Sequence, residues 1–166
     1  MNDLIVIKIM LEAKHIEEDA LYSAKGHFYA GQFWANLHLW IGIPTACISA
    51  IAGASALSQF DYHSVVAGIL AIIVAASTAV STFLNPNEQA SRHKDSGNNY
   101  NGLRNQSRIF YEIEIKTVKN ETVAFSILKR LNNDRDNLNK ESPQIPKWAF
   151  QKAKKGVESG EAAYRI

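Results

Sequence analysis

The chain has 166 residues, 46% of them hydrophobic and 10% aromatic, with 18 basic and 16 acidic side chains for a net charge of +2. So small a surplus does not single out nucleic acid as a partner, and a lone cysteine, Cys47, excludes an intrachain disulfide. Mean hydropathy lies just below zero, but it averages an apolar middle against two polar ends.

Residues 1–25 carry three basic and five acidic side chains, net −2. Ile9 to Lys25 reads as a helix that runs straight on into the apolar region. Five acids and no small-residue cleavage pattern argue against a cleavable signal peptide.

Between Lys25 and Glu88 lie 62 residues with one formal charge, Asp61. It sits in the polar run Ser58 to Ser64 and divides two apolar segments, the 19 residues Leu39 to Leu57 and the 20 residues Val65 to Leu84. As helices, each is long enough to cross about 30 Å of hydrocarbon. A soluble helix of that length shows a charged face, because one side meets water. Neither segment has one. The expectation is an all-α membrane protein: a cytosolic N-terminal helix over 1–35, spans over 36–58 and 65–84, an outer loop over 59–64, and a cytosolic helical bundle from 85 to 166. The loop holds no Lys or Arg, whereas Lys25 precedes the spans and Arg92 and Lys94 follow them. That asymmetry puts both termini in the cytoplasm. Phe28, Tyr29, Phe33, Trp34 and Trp40 suit the inner interface, and Phe60 and Tyr62 the outer one. The rival reading is a hairpin buried in a soluble helical bundle, since spans rich in Ala, Gly, Ser and Thr insert less favourably than Leu-rich ones.

Small residues recur every four positions, at Gly42, Ala46, Ala50 and Ala54 in the first span and Ala67, Ala71, Ala75 and Ala79 in the second. One such stripe per helix would let the backbones approach and close the hairpin, and meet other helices in an oligomer. Alanine is also common in any apolar helix. Hydroxyls cluster at Thr45, Ser49, Ser77, Thr78, Ser81 and Thr82. They either bond back to their own helix carbonyls or line a polar seam between subunits, or a pore once several hairpins assemble. Pro44 frees a carbonyl and kinks its helix. No ionisable residue at membrane depth argues against proton-coupled transport.

Asn85-Pro86-Asn87-Glu88 reads as a helix start, with Asn85 as the cap. Tyr100, Leu103, Phe110 and Ile113 then form a packing seam. Ser96-Gly97-Asn98-Asn99 and Asn101-Gly102 favour turns, so the continuity of a helix over 86–119 stays open. A further helix is expected from about Glu121 to Asn139, on Val123, Ile127, Leu128 and Leu131. Ser142 to Pro146 is an extended break, followed by a short helix from Trp148 to Gly156, with Trp148 in the packing. Residues 88–166 hold fifteen basic and ten acidic side chains, net +5, a solvated face toward anionic lipid or cytosol.

Catalytic constellations are missing. Glu12 and His15 form one Glu-x-x-His pair where a di-iron bundle needs two with further carboxylates. His15, His27, His38, His63 and His93 show no metal-ligand spacing. Neither a phosphate loop nor a nucleophile elbow is present. The expectation is no enzyme, no cofactor, no metal and no direct nucleic-acid binding.

The order of these parts resembles the SLATT family, the two-span effectors associated with SMODS nucleotidyltransferases and SLOG nucleotide sensors in bacterial conflict systems. The likeness rests on Ile41-Gly42-Ile43-Pro44 early in the first span and Phe83-Leu84-Asn85-Pro86-Asn87-Glu88-Gln89-Ala90 after the second. His93, Tyr100, Leu103, Pro143-Gln144-Ile145-Pro146, Trp148, Ala149, Lys152, Ala153 and Gly156 complete it. The resemblance implies an effector of an antiphage, abortive-infection system in the bacterial inner membrane. Such an effector oligomerises and forms a pore or disrupts the membrane when a nucleotidyltransferase, nucleotide sensor or reverse transcriptase encoded nearby activates it. The alternative is a non-conducting membrane anchor or scaffold for a partner enzyme.

Overall fold

The computed structural model describes residues 3–118 and 120–161. Six α-helices and one π-helical turn account for almost all of them, and no strand occurs among the described residues. The helices are α1 (Asp3–Leu57), α2 (His63–Leu84), α3 (Pro86–Ile109), α4 (Ile115–Thr117), α5 (Glu121–Glu141) and α6 (Lys147–Glu158), with the π turn at Phe110–Glu114. Two compact units emerge: residues 32–90, and residues 1–31 together with 91–166.

In the unit of residues 32–90, Pro44 lies inside α1. Proline has no N–H to give the Trp40 carbonyl, and the neighbouring Thr45 hydroxyl donates to the Ile41 carbonyl at 2.7 Å. A five-residue loop, Ser58 to Tyr62, separates α1 from α2, and Tyr62 turns the corner at φ 64°. Asn85, at φ 42°, is the other left-handed residue here, a conformation asparagine tolerates better than most. Its N–H closes α2 on the Ser81 carbonyl at 3.0 Å, and its carbonyl accepts from Gln89 N–H at 3.1 Å, the first turn of α3. Its side chain does not cap a backbone N–H as expected; the amide donates to the Glu88 carboxylate instead.

From Ile41 onward, the less exposed positions of the two helices are Ile41, Thr45, Ile48, Ala52 and Ser55 on α1, and His63, Ala67, Leu70, Val74, Ser77, Ser81 and Leu84 on α2. Their steps alternate between four and three, the spacing that keeps a line on one face of a helix with about 3.6 residues per turn. A strict four-residue step overshoots by about 40° each time. That drift corrects the expected stripe. Of the expected stripe only Ala67 falls on this line, while Gly42, Ala46, Ala50, Ala54, Ala71, Ala75 and Ala79 are exposed.

In the unit of residues 1–31 and 91–166, α1 buries Ile9, Ala13, Ile16, Ala20, Ala24 and His27. From α3 come His93, Ser96, Tyr100, Leu103 and Ser107, followed by Phe110. Glycine at 97 and 102 does not break α3. A Cβ at Gly97 would stand 2.8 Å from the Phe28 ring, so the missing side chain admits that ring. Likewise a Cβ at Gly26 would meet Ile145 at 3.0 Å, which seats the extended Pro143–Pro146 run against α1.

The expected seam fails at its last member. Ile113 is 59% exposed, and Ile115 is buried in its place. The cause is the π turn, in which the Ile115 N–H reaches the Phe110 carbonyl five residues back. One extra residue per turn carries the buried line from 110 to 115. On α5, Ala124, Leu128 and Leu131 are buried while Val123, expected inside, is exposed. Ala149, Ala153 and Gly156 form the buried face of α6, and Trp148, expected in the packing, is 44% exposed.

Candidate functional site: a hydroxyl-lined groove in the apolar hairpin

Alternating four- and three-residue steps bring one face of α1 against one face of α2 within residues 32–90. A groove of about 360 Å³ opens along this line. Thr45 and Ser49 enter it from α1, and Ser77, Thr78, Ser81 and Thr82 from α2. All six hydroxyls that the sequence set apart therefore share one surface, next to Gly42 and Ala46. Serine and threonine in an apolar helix ordinarily return their hydroxyl to a carbonyl one turn back. Thr45 does so. Among the described residues, Ser49, Ser77, Thr78, Ser81 and Thr82 make no such bond, which leaves five hydroxyls to solvate whatever enters the groove.

A second cavity of about 600 Å³ continues the hairpin, lined by Ala52, Gly53, Ala56, Ala67, Gly68, Ala71 and Ala75 around Ser49 and Val74. Ala67, Ala71 and Ala75 stand where small side chains were expected. Ala52, Gly53, Ala56 and Gly68 were not anticipated, because a four-residue template skips them; the alternation of four and three picks out Gly53 and Ala56. The hairpin thus has a hydroxylated half and an apolar half.

The outward faces carry Ile43, Ile51, Ile69, Ile72 and Phe83, all exposed, and α2 has no buried residue at all. In water so much contiguous apolar surface is unfavourable. Hydrocarbon removes that penalty, and a helix satisfies its own backbone groups there.

Outside the apolar segments, one further constellation escaped the sequence reading. His27 of α1 and His93 of α3 meet with their Nδ1 atoms 3.0 Å apart, both buried. One nitrogen must donate and the other accept, so the two neutral rings adopt opposite tautomers. The Tyr100 ring stacks on His27 with centroids 5.4 Å apart, and its hydroxyl donates to Asn139 at 2.8 Å. Burial, with the neighbouring His93, lowers the His27 pKa to about 4. His93 is also lowered, first by burial and then by Arg92. Each histidine stands on the buried line of its own helix; only superimposing the two lines would have paired them. No group of three or more metal-ligating side chains occurs among the described residues.

A family model described as "SMODS and SLOG-associating 2TM effector domain family 4" matches residues 13–164, all but the first twelve and last two residues. The chain belongs to this family. Neither the curated proteins nor the solved structures match it. As a SLATT member, this is a two-transmembrane effector domain, and α1 and α2 each hold an unburied apolar stretch long enough to cross a membrane. The soluble-bundle reading, which requires those faces to be covered, is set aside.

Proposed function

We propose that this SLATT protein is the membrane effector of an antiphage, abortive-infection system, acting by assembly of several hairpins into a conducting pore. The observation that carries the reading is the groove in which five hydroxyls lack the usual return bond to the helix. One hairpin cannot enclose a channel. Several copies, each turning this groove toward a common axis, would line it with polar atoms while Ile51, Ile69 and Ile72 face lipid. Hydroxyls without charge solvate small ions without holding them, which permits passage rather than capture. The trigger comes from elsewhere, in keeping with a family named for association with SMODS and SLOG proteins. A nucleotide-producing or nucleotide-sensing partner, or a reverse transcriptase, acts on residues 1–31 and 91–166. The protein sits in the inner membrane with both ends in the cytoplasm, and conduction stops phage propagation by stopping the host.

The test is membrane potential and growth in bacteria expressing the chain with its activator. The native protein should depolarise the membrane and arrest growth. Replacing Ser77, Thr78 and Ser81 by valine should abolish depolarisation while the protein still fractionates with membranes and keeps its helicity. Undiminished conduction in that variant would overturn the groove as the conduction path. A native protein that leaves permeability unchanged under activation would favour the anchor or scaffold.

A further inference from the structure

We infer that the pore proposed above passes cations in preference to anions, and that Asp61 sets the preference. Such a preference presupposes the pore reading and names the ion it carries. The groove itself does not choose a sign. A hydroxyl both donates and accepts, so Ser77, Thr78 and Ser81 solvate a cation through oxygen and an anion through hydrogen. The sign must therefore come from a formal charge at the conduction path. Residues 32–90 hold two, Asp61 and Glu88, and no lysine or arginine. Glu88 stands in the first turn of α3, and the chain turns basic just beyond it, at Arg92 and Lys94. Asp61 has no such counterweight in the sequence around it.

Asp61 occupies the tip of the hairpin. The His63 N–H donates to the Phe60 carbonyl at 3.2 Å and closes a tight turn with Asp61 and Tyr62 at its centre. The Asp61 side chain is exposed and makes no hydrogen bond or ion pair among the described residues, which leaves its charge uncompensated. At this tip α1 ends and α2 begins, so the two helix dipoles bring opposite partial charges and cancel. With 22 residues, α2 is about 33 Å long, which sets Asp61 at the mouth of a span rather than within it. When several hairpins insert the same way, each copy brings one carboxylate to the same mouth. A carboxylate about 10 Å from the axis, roughly one helix diameter, enriches a monovalent cation about twofold in dilute salt and depletes an anion by the same factor. At about 0.1 M ionic strength, where the Debye length is about 10 Å, each factor falls to about 1.3. The factors multiply over the copies, so the preference is strong in dilute salt and fades in concentrated salt.

Reversal potential reads the sign directly and does not depend on how many pores are open. It is measured across planar bilayers fused with membranes from cells expressing the full chain with its activator, under a tenfold gradient of potassium chloride. The native chain should reverse on the potassium side of zero, and raising both salt concentrations at a constant ratio should bring the reversal nearer zero. Asp61→Glu should keep the native value, Asp61→Asn should lose most of it, and Asp61→Lys should carry it toward the chloride side. A native reversal at zero or on the chloride side in dilute salt, or an undiminished one in Asp61→Asn, would overturn cation selection by Asp61 while the pore itself stands. If Asp61→Asn passes no current, the native salt series decides, and a preference that does not fade with salt sinks the role of Asp61. No current from the activated native chain would instead remove the pore reading, and the ion preference with it.

Discussion

His27 and His93 share a single hydrogen bond inside a seam of mostly apolar side chains. Two neutral imidazoles satisfy each other there at 3.0 Å, but a second proton would leave two donors face to face and a charge away from water. The direction of the pH effect follows. Unfolded histidine titrates near 6.5, whereas burial holds folded His27 at about 4. Between those values the unfolded chain binds more protons, so stability rises with pH. The contribution is complete above about 6.5 and disappears as pH falls toward 4, amounting to about 3 kcal/mol at most. Unfolding midpoints of the detergent-solubilised protein, followed by circular dichroism, should fall steadily across that interval. His27→Gln should flatten the dependence; an unchanged slope would show that other groups carry it.

Among the elements, the π turn separates what sequence can express from what it cannot. Ile109, Phe110, Tyr111, Ile113 and Ile115 put apolar side chains all round the helix, so composition alone offers several equivalent seams. The chosen one runs from Phe110 to Ile115, which an α-helix cannot place on one face. The extra residue is then an insertion that can be removed. Deleting exposed Glu112 should convert the turn to α-helix with Phe110 and Ile115 four apart, both still buried, and change stability by no more than about 0.5 kcal/mol. Deleting exposed Asn98 in the regular part of α3 should rotate one half of the seam against the other and cost several times as much. Comparable losses from the two deletions in urea titration would contradict this account. Gly97 left the continuity of α3 open for a related reason. Its value lies in the Phe28 ring it admits, a property of two helices that neither local stretch displays.

For the whole molecule, the spans were the most legible feature, because hydrocarbon thickness and the absence of charge are written along the chain in one dimension. Which faces meet was less legible, since a helical drift of about 40° per four-residue step decides it. The same distinction lets one substitution probe the solvent around the hairpin. Ile72 stands near the middle of α2 and is 71% exposed; Val123 on α5 is 46% exposed. Surrounded by water, lysine would be harmless at either site. With hydrocarbon around α2, a lysine at the centre of the span costs roughly 2.5–3.5 kcal/mol on insertion scales, too deep for its side chain to reach the interface without strain. Ile72→Lys should therefore reduce the carbonate-resistant membrane fraction and shorten the protein's lifetime in cells. Val123→Lys should leave both unchanged. If Ile72→Lys instead increased recovery of soluble, folded protein, the apolar faces would have to meet another protein surface rather than lipid.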